Sequence, residues 1–167
     1  EMCIRDSYIV SWPDKINPGQ KSKSAVHHFD IFSTIASAAG IESSELNDLD
    51  GVNLLPYINK EISTEPHKTL FWRSGNHQSV LHENWKYIVS KQENFHWLFN
   101  TSVDPTEKNN LIESHPEKAQ LLKSLLAEFN SEQADPVVPS AFEVPILIDK
   151  YDGQKYEEGD DYIYWSN

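Results

Sequence analysis

The apolar residues between positions 30 and 40 recur at the spacing of one helical face. The members of that face are Ile31, Phe32, Ile35, Ala36 and Ala39. Their spacing predicts an amphipathic helix. Asp30 is a good N-cap residue because its carboxylate can accept backbone N–H bonds, and Gly40 tolerates the positive φ that ends many helices. We therefore predict a helix over 30–40 that packs on a sheet.

The residues before and after this helix predict a strand and irregular connections. Residues 8–12 alternate aromatic and β-branched types and stop at Pro13, which is typical of a short buried strand. Residues 14–23 form a turn and an exposed loop in this interpretation. The pair Asp50-Gly51 indicates a tight turn, and residues 56–66 indicate a short helix and a connector.

The second half of the chain changes to short β-type runs separated by polar turns. These runs lie at 70–72, 79–81, 86–89 and 97–99, which predicts an antiparallel meander. Residues 116–129 then place apolar side chains on one helical stripe that can cover one face of the sheet. Those side chains are Ala119, Leu122, Leu125, Leu126 and Phe129. Residues 131–167 predict an extended tail with a docked aromatic end.

Charge and composition exclude several partners. The chain has 14 Lys and Arg against 26 Asp and Glu, for a formal charge of -12, so nucleic acid and anionic membrane surfaces are repelled. One cysteine, Cys3, allows no internal disulfide and no cysteine metal cluster. No apolar run reaches the roughly 20 residues that span a bilayer, and the first residues show no signal-peptide pattern. Residues 1–7 are interpreted as a non-native or truncation segment.

Ordered motifs along the chain resemble one enzyme family. Three stand at 8–19 with Trp12-Pro13, at 28–40 with His-Phe-Asp-Ile-Phe, and at 49–56 with Leu-Asp-Gly-Val. Four more are Leu-Phe-Trp-Arg at 70–73, Asn-Trp-Lys-Tyr-Ile at 84–88, Trp-Leu-Phe-Asn at 97–100, and Asp-Pro-Thr-Glu-Lys-Asn-Asn-Leu at 104–111. Together they resemble the C-terminal part of type I sulfatases, the formylglycine-dependent members of the alkaline-phosphatase superfamily. Two departures are Asn84 in place of the common Gly, and Phe99-Asn100 in place of Asp-Leu.

The resemblance covers residues 8–130 and implies an α/β fold. We expect the C-terminal part of an alkaline-phosphatase-like α/β sandwich at 8–66, containing its last strand and helix and a connector. A small antiparallel sheet packed against one helix is expected at 67–130, and the tail at 131–167. Without the rest of the parallel sheet, the strand at 8–12 and the apolar helix face are expected to be uncovered, which predicts poor solubility.

The resemblance also implies the chemistry of the intact parent. Such enzymes hydrolyse sulfate esters with a calcium ion and a formylglycine made in a Cys/Ser-Xaa-Pro/Ala-Xaa-Arg motif, and these groups precede the Trp-Pro strand. Cys3 is followed by Ile4-Arg5-Asp6-Ser7, which lacks that motif. We therefore expect no catalytic residue and no bound cofactor in this chain, which should be inactive alone. A sulfated carbohydrate or an aryl sulfate is the expected substrate of the parent, in the periplasm or outside the cell.

Three residues are candidates for the rim of the substrate pocket. Trp72, Arg73 and His77 surround a strand end that runs into a Gly-containing loop, where a cation, an aromatic ring and hydrogen-bond donors come together. In the family, loops of this subdomain border the sulfate pocket. The alternative is structural, since exposed arginines are common and Trp72 has an apolar strand context that favours core packing.

The other polar candidates have structural interpretations. The adjacent His27 and His28 are expected to point in different directions, so they cannot chelate one metal. Four more histidines have no partner at ligand spacing, and four turn or cap residues are assigned no metal. These residues are His67, His82, His96 and His115, and Asp30, Asp104, Glu107 and Asn109.

Two other functions stay open at this point. A phosphodiesterase or phosphonate monoester hydrolase of the same superfamily would share the fold. A non-catalytic carbohydrate-binding module could use Trp72, Arg73 and Trp165. The nucleophile motif upstream of residue 8 would distinguish these possibilities.

Overall fold

The computed structural model describes residues 8–41, 49–74, 77–90 and 95–134, and two short strands, Ile146–Leu147 and Tyr162–Ile163. These two strands pair antiparallel with each other. The described residues form two compact units, one ending at Lys68 and one starting at Thr69. The predictions for residues 1–7 and for most of the tail lie outside the described residues.

The first unit contains two helices, α1 (Asp30–Ala38) and α2 (Leu55–Ile58). Gly40 has φ +84°, which confirms the predicted glycine end of α1. The prediction of Asp30 as the N-cap is wrong, because Phe29 holds that position and no side chain caps the helix. Asp30 is instead the first helical residue. Its carboxylate bonds to groups outside the first turn, which outcompete the local cap.

The predicted strand at 8–12 is also wrong. These residues have no strand pairing, and the side chains of Tyr8, Ile9 and Val10 are 43%, 86% and 38% exposed. The Trp12 carbonyl accepts N–H bonds from Lys15 and Ile16, so a turn begins directly after this segment. A strand needs a neighbouring strand to satisfy its backbone groups, and the described part of this unit contains none.

The second unit is a four-stranded antiparallel meander, as predicted. Its strands are β1 (Thr69–Ser74), β2 (His77–His82), β3 (Trp85–Ser90) and β4 (Phe95–Asn100), and they lie in chain order. The predicted helix is α3 (Pro116–Glu132), which starts with the favoured proline in its first turn. The core between helix and sheet confirms the predicted packing and consists of Val80, Tyr87, Leu98, Leu122 and Leu126.

The turn between β2 and β3 explains one departure from the family motif. Glu83 and Asn84 both have positive φ, at +50° and +70°. A two-residue hairpin turn of type I′ needs positive φ at both central residues, and glycine adopts it without steric cost. The Gly that the resembled motif commonly has at this position would adopt this turn conformation without strain. Asn84, found here instead, is the residue that tolerates the conformation next best.

Changing this turn to Asn-Gly should stabilise the sheet. We expect the double variant Glu83→Asn/Asn84→Gly to raise the free energy of unfolding by about 0.5–1 kcal/mol, because the left-handed conformation is costly for Glu. The backbone carbonyl of residue 84, which accepts hydrogen bonds from Thr101, is unchanged by the substitution. Urea denaturation would measure the change. Asn59→Gly is the control, since Asn59 has φ −79° and should gain nothing; equal stabilisation by both changes would contradict this interpretation.

Candidate functional site

The three predicted rim residues lie on the β1–β2 hairpin but do not share one face. Ser74 pairs with His77 and Trp72 pairs with Ser79, so Trp72 and His77 lie on the same face of the sheet. Arg73 pairs with Gln78 and lies on the other face. The structure therefore brings together two of the three candidates and separates the third.

Arg73 belongs to the face that α3 covers. Its Nη1 atom donates to the carbonyl oxygen of Ala134 at 3.3 Å. The neighbouring Gln78 accepts a bond from the Asn130 amide at 2.9 Å. On the opposite face Trp72 is half-buried and His77 is only 8% exposed. A rim role stays a prediction, and on this geometry it falls to Trp72 and His77.

A buried polar cluster occupies the start of α1. Asp30 has no exposed surface, and its carboxylate oxygens lie 2.8 and 2.9 Å from Nε2 of His67. The backbone N–H groups of His27 and Val52 donate to the same carboxylate at 2.7 and 2.9 Å. Sequence analysis found no partner for His67, because 37 residues separate it from Asp30.

The histidines around this cluster also differ from expectation. The rings of His27 and His28 lie 4.3 Å apart between centroids, so the prediction that they point in different directions is wrong. His27 also stacks on Phe29, with ring centroids 4.0 Å apart. Burial lowers the pKa of His27, and His28 lowers it further. Among the described residues, no three His, Cys, Asp or Glu side chains could hold one metal ion.

The segment after residue 50 is fixed to the polar side of α1. Ser33 Oγ donates to the Gly51 carbonyl at 2.7 Å, and Thr34 Oγ1 accepts from the Leu54 N–H at 3.0 Å. A Cβ atom on Gly51 would lie 2.2 Å from the Phe29 carbonyl oxygen. Only glycine fits at this contact, which accounts for the Asp-Gly-Val sequence of the motif.

Two motifs of the second unit meet through an ion pair. Lys86 Nζ lies 2.9 and 3.2 Å from the two carboxylate oxygens of Glu107. The side chains of both residues are about nine-tenths buried, with 11% and 10% exposed. Glu107, which sequence analysis assigned to a turn and cap, therefore joins the Trp-Lys strand to the segment after β4. Glu107 has a positive φ of +56°.

The remaining histidines hydrogen-bond to neighbouring side chains. Nδ1 of His82 bonds to Thr69 at 2.7 Å, and Nδ1 of His96 bonds to the Tyr87 hydroxyl at 2.6 Å. His115 bonds to Ser114 at 3.0 Å. These contacts agree with the structural interpretation of the three histidines.

Comparison with known families identifies the chain. A family model described as N-sulphoglucosamine sulphohydrolase, C-terminal, matches residues 1–135. The chain belongs to this sulfatase family. The expected resemblance is thereby confirmed.

Curated relatives of this sulfatase-family chain are themselves sulfatases. It is 28% identical over 123 residues to steryl-sulfatase of Rattus norvegicus, covering 67% of the chain and 19% of that protein. It is also 28% identical over 149 residues to N-acetylgalactosamine-6-O-sulfatase of Bacteroides thetaiotaomicron, covering 75% of the chain and 27% of that protein. The chain thus spans less than a third of the length of these two relatives.

A solved structure confirms the fold class. BT4656, in complex with its substrate D-glucosamine-2-N,6-O-disulfate, matches with a TM-score of 0.61 at 21% identity, over 72% of the chain and 27% of that structure. The antiparallel sheet and helix are therefore the sulfatase C-terminal arrangement. Within the described residues of this sulfatase-family chain, no helix is long and apolar enough to cross a membrane.

The last sulfatase motif, at 104–111, builds a turn and orders the chain beside β4. The Asp104 carboxylate accepts N–H bonds from Lys108 and Asn109 at 2.9 and 2.8 Å. The Asn110 amide accepts from the Leu98 N–H at 3.0 Å and donates to the His96 carbonyl at 3.1 Å. The contacts of these motif residues are therefore structural: they form the turn and hold the chain beside β4.

The turn at Asp104 should make stability depend on acid pH. The N–H bond from Asn109 is the main cause that lowers the pKa of Asp104 below its ordinary value of 3.8. A carboxyl with a lowered folded-state pKa stabilises the protein above the unfolded pKa, and this contribution is lost as pH falls through the folded pKa. We expect the stability difference between the native chain and Asp104→Asn to be constant near neutral pH and to shrink below pH 3.8. Urea denaturation across that range would test it; a difference that does not change with pH would contradict it.

Proposed function

We propose that the intact parent is a sulfatase that hydrolyses sulfate esters of sulfated carbohydrates. The observation that carries this proposal is the family match across residues 1–135, in which the motif residues build the C-terminal sheet and its turns. The Bacteroides relative named for N-acetylgalactosamine 6-O-sulfate supports a sugar substrate. Because the relatives carry sulfatase names, they favour this function over a phosphodiesterase or a non-catalytic carbohydrate-binding module.

We assign the reaction chemistry to a preceding part of the parent. Cys3 lies outside the formylglycine motif, because Ile4-Arg5-Asp6-Ser7 has neither the Pro or Ala nor the Arg at the required offsets. The described residues do not fit a calcium site, since no three candidate ligands converge. We propose that this chain alone has no sulfatase activity, and that calcium and formylglycine belong to the parent. A periplasmic or secreted location is part of the same proposal.

The experiment starts from the contiguous coding sequence upstream of residue 8. The intact protein, matured to carry formylglycine, would be assayed for sulfate release from sulfated sugars and from an aryl sulfate. We expect release that disappears when the nucleophile is replaced, and no release by the 167-residue chain. An upstream sequence without the nucleophile motif, or sugar binding without turnover, would overturn the proposal.

The rim role of the hairpin has its own test in the intact enzyme. We expect Trp72→Ala to raise KM for a sulfated sugar about tenfold, the size of a lost aromatic contact of roughly 1.4 kcal/mol. Arg73→Gln should leave KM unchanged, because Arg73 lies on the α3 side of the sheet. Steady-state kinetics would measure both, with thermal unfolding to verify folding. If Arg73→Gln raised KM and Trp72→Ala did not, the substrate rim would lie on the α3 side of the sheet instead.

A further inference from the structure

The sheet of the second unit has two faces, and α3 covers only one of them. Val80, Tyr87 and Leu98 form the core under α3, and strand alternation directs the residues between them to the other side. We call this other side the outer face. Its members include Leu70, Trp72, His77, Ser79, Leu81, Lys86, Ile88, Ser90, Phe95, Trp97 and Phe99. An antiparallel sheet often leaves such a face to solvent.

Much of the outer face is nevertheless buried. Leu70 and Ile88 are each only 4% exposed, and Ser90 is 1% exposed. Side chains stand roughly perpendicular to a sheet, so neighbours within the sheet shield the base of a large side chain but not its tip. A second layer therefore lies over Leu70 and Ile88. The burial is found in the single chain, so that layer belongs to the same chain.

The segment after β4 covers only one corner of the outer face. Glu107 bonds to Lys86, and Phe99 is the strand partner of Lys86. The segment then returns to the edge of the sheet, where the Asn110 amide bonds to the β4 backbone. Leu70 is on β1 at the opposite edge, roughly 14 Å from β4. Another part of the chain therefore covers Leu70.

The chain leaves α3 beside the β1 edge. The helix ends at Glu132, and Gln133 already has an extended backbone with φ −95° and ψ 141°. The carbonyl oxygen of Ala134 accepts a bond from Arg73 on β1, which is an edge strand of the meander. The residues after 134 thus start beside the strand that carries Leu70, and they need to pass only this edge to reach the outer face.

The described part of the tail is an apolar strand pair. It consists of β5 (Ile146–Leu147) and β6 (Tyr162–Ile163), which pair antiparallel. A two-stranded hairpin alone is marginal in water and needs a surface to pack on. The extended chain from Ala134 to Ile146 reaches roughly 40 Å, which is ample to cross the sheet. The compact unit that contains the sheet also contains the strand pair.

We propose that the β5–β6 pair packs on the outer face of the sheet and is the layer that buries Leu70 and Ile88. The strand pair needs a surface and the outer face needs a cover, and both belong to one compact unit. The matched family model ends at residue 135, so this layer lies beyond the matched sulfatase region. The docking does not depend on the reaction of the parent.

The register of the strand pair selects the side that faces the sheet. Ile146 is directly opposite Ile163, and Leu147 is opposite Tyr162, so each of these two pairs shares one side of the hairpin. The purely aliphatic pair, Ile146 with Ile163, packs on the sheet. The other side points away from it, where the Tyr162 hydroxyl stays hydrated.

Thiol labelling of the 167-residue chain tests the cover. With Cys3 replaced by Ser, Ser90→Cys places a single thiol on the outer face. Within the described residues the Ser90 hydroxyl has no hydrogen-bond partner, so this change removes no bond. Adding Ile146→Gln/Ile163→Gln should accelerate maleimide labelling about tenfold or more, because the hairpin no longer shields position 90. The matched control Leu147→Gln/Tyr162→Gln should leave the rate nearly unchanged. No acceleration by either double change overturns the proposal.

Val80→Cys distinguishes release of the hairpin from unfolding. Val80 has no exposed surface and belongs to the core under α3. Its thiol should therefore stay slow to react in both double variants. If the thiols at 80 and 90 accelerate together, the unit has unfolded, and the crosslink in the native tail decides.

A photo-crosslink identifies the covering residues directly. Trp72 is half-buried on the outer face and would be replaced by p-benzoylphenylalanine in the chain with its native tail. Mass spectrometry of the irradiated and digested chain should find crosslinks to the peptides that contain β5 or β6. Crosslinks confined to other parts of the chain overturn the proposal. A product of two joined chains also overturns it, since a second copy would then cover the face.

Discussion

Replacing Lys86 with methionine is expected to lower the free energy of unfolding by about 3 kcal/mol or more. The reason is the state of Glu107, whose carboxylate bonds to Lys86 Nζ with only 10% of its side chain exposed. Removing the lysine leaves a nearly buried negative charge without this ammonium, so the desolvation of that charge is less well compensated. Urea denaturation of the variant, read by tryptophan fluorescence, measures the loss.

A double-mutant cycle separates the ion pair from simple packing. Glu107→Leu alone should also destabilise, because it leaves the Lys86 ammonium buried. The combined Lys86→Met/Glu107→Leu variant should recover most of the loss, since apolar replacement of both partners removes the desolvation cost. Lys123→Met is the control, because Lys123 is exposed on α3 and should change stability by less than about 0.5 kcal/mol. Strictly additive single changes would show that the two side chains are not coupled.

Replacing Asp30 with alanine is expected to cost about 3 kcal/mol and to release the segment after residue 50 from α1. The carboxylate accepts bonds from His27 N–H, Val52 N–H and His67 Nε2 in a fully buried position. All three groups lose that acceptor in the variant. Hydrogen exchange at the Val52 amide should accelerate strongly, and thermal unfolding should shift downward.

Two further substitutions test whether the result of Asp30→Ala comes from the lost carboxylate. Gly51→Ala should release the same amide, because its Cβ would come within 2.2 Å of the Phe29 carbonyl oxygen. Asp14→Ala is the matched control, since Asp14 is exposed in the loop and should be nearly neutral. If the Val52 amide stays protected in the Asp30 variant, other contacts hold the segment and the carboxylate is not its anchor.

Local patterns predicted the second unit, and in the first unit they predicted α1 and its Gly40 end but not the state of residues 8–12 or the role of Asp30. In the four strands and in α3, apolar residues recur at the spacing typical of a strand or of a helix. Val80 and Leu122 could therefore be assigned to a core from that spacing alone. The segment at 8–12 has the strand pattern but lacks a neighbouring strand, and tertiary context decides whether such a segment pairs. The Asp30 cap failed for a related reason, because Val52 and His67 compete for its carboxylate.

The candidate site shows the same limit of local reasoning. The ion pair of Lys86 with Glu107 joins residues 21 apart, so it depends on the pairing of β3 with β4 and on the segment that follows β4. The grouping of Trp72 with Arg73 overlooked strand alternation, which sends adjacent side chains to opposite faces. Once the strand was predicted, that alternation could have separated the two residues without a structure.

The Asn110 side chain has a consequence for association between molecules. A sheet ends in a row of backbone donors and acceptors that another chain can use as a template, and proteins commonly block such edges with charges or bulges. In β4, the Asn110 side-chain amide accepts a hydrogen bond from the Leu98 N–H and donates one to the His96 carbonyl oxygen. The Leu98 carbonyl oxygen accepts a hydrogen bond from the Leu111 N–H at 2.7 Å. A single side chain thus substitutes for part of a fifth strand. Growth of the sheet by strand addition, the first step toward edge-to-edge aggregation, is blocked at the middle of β4.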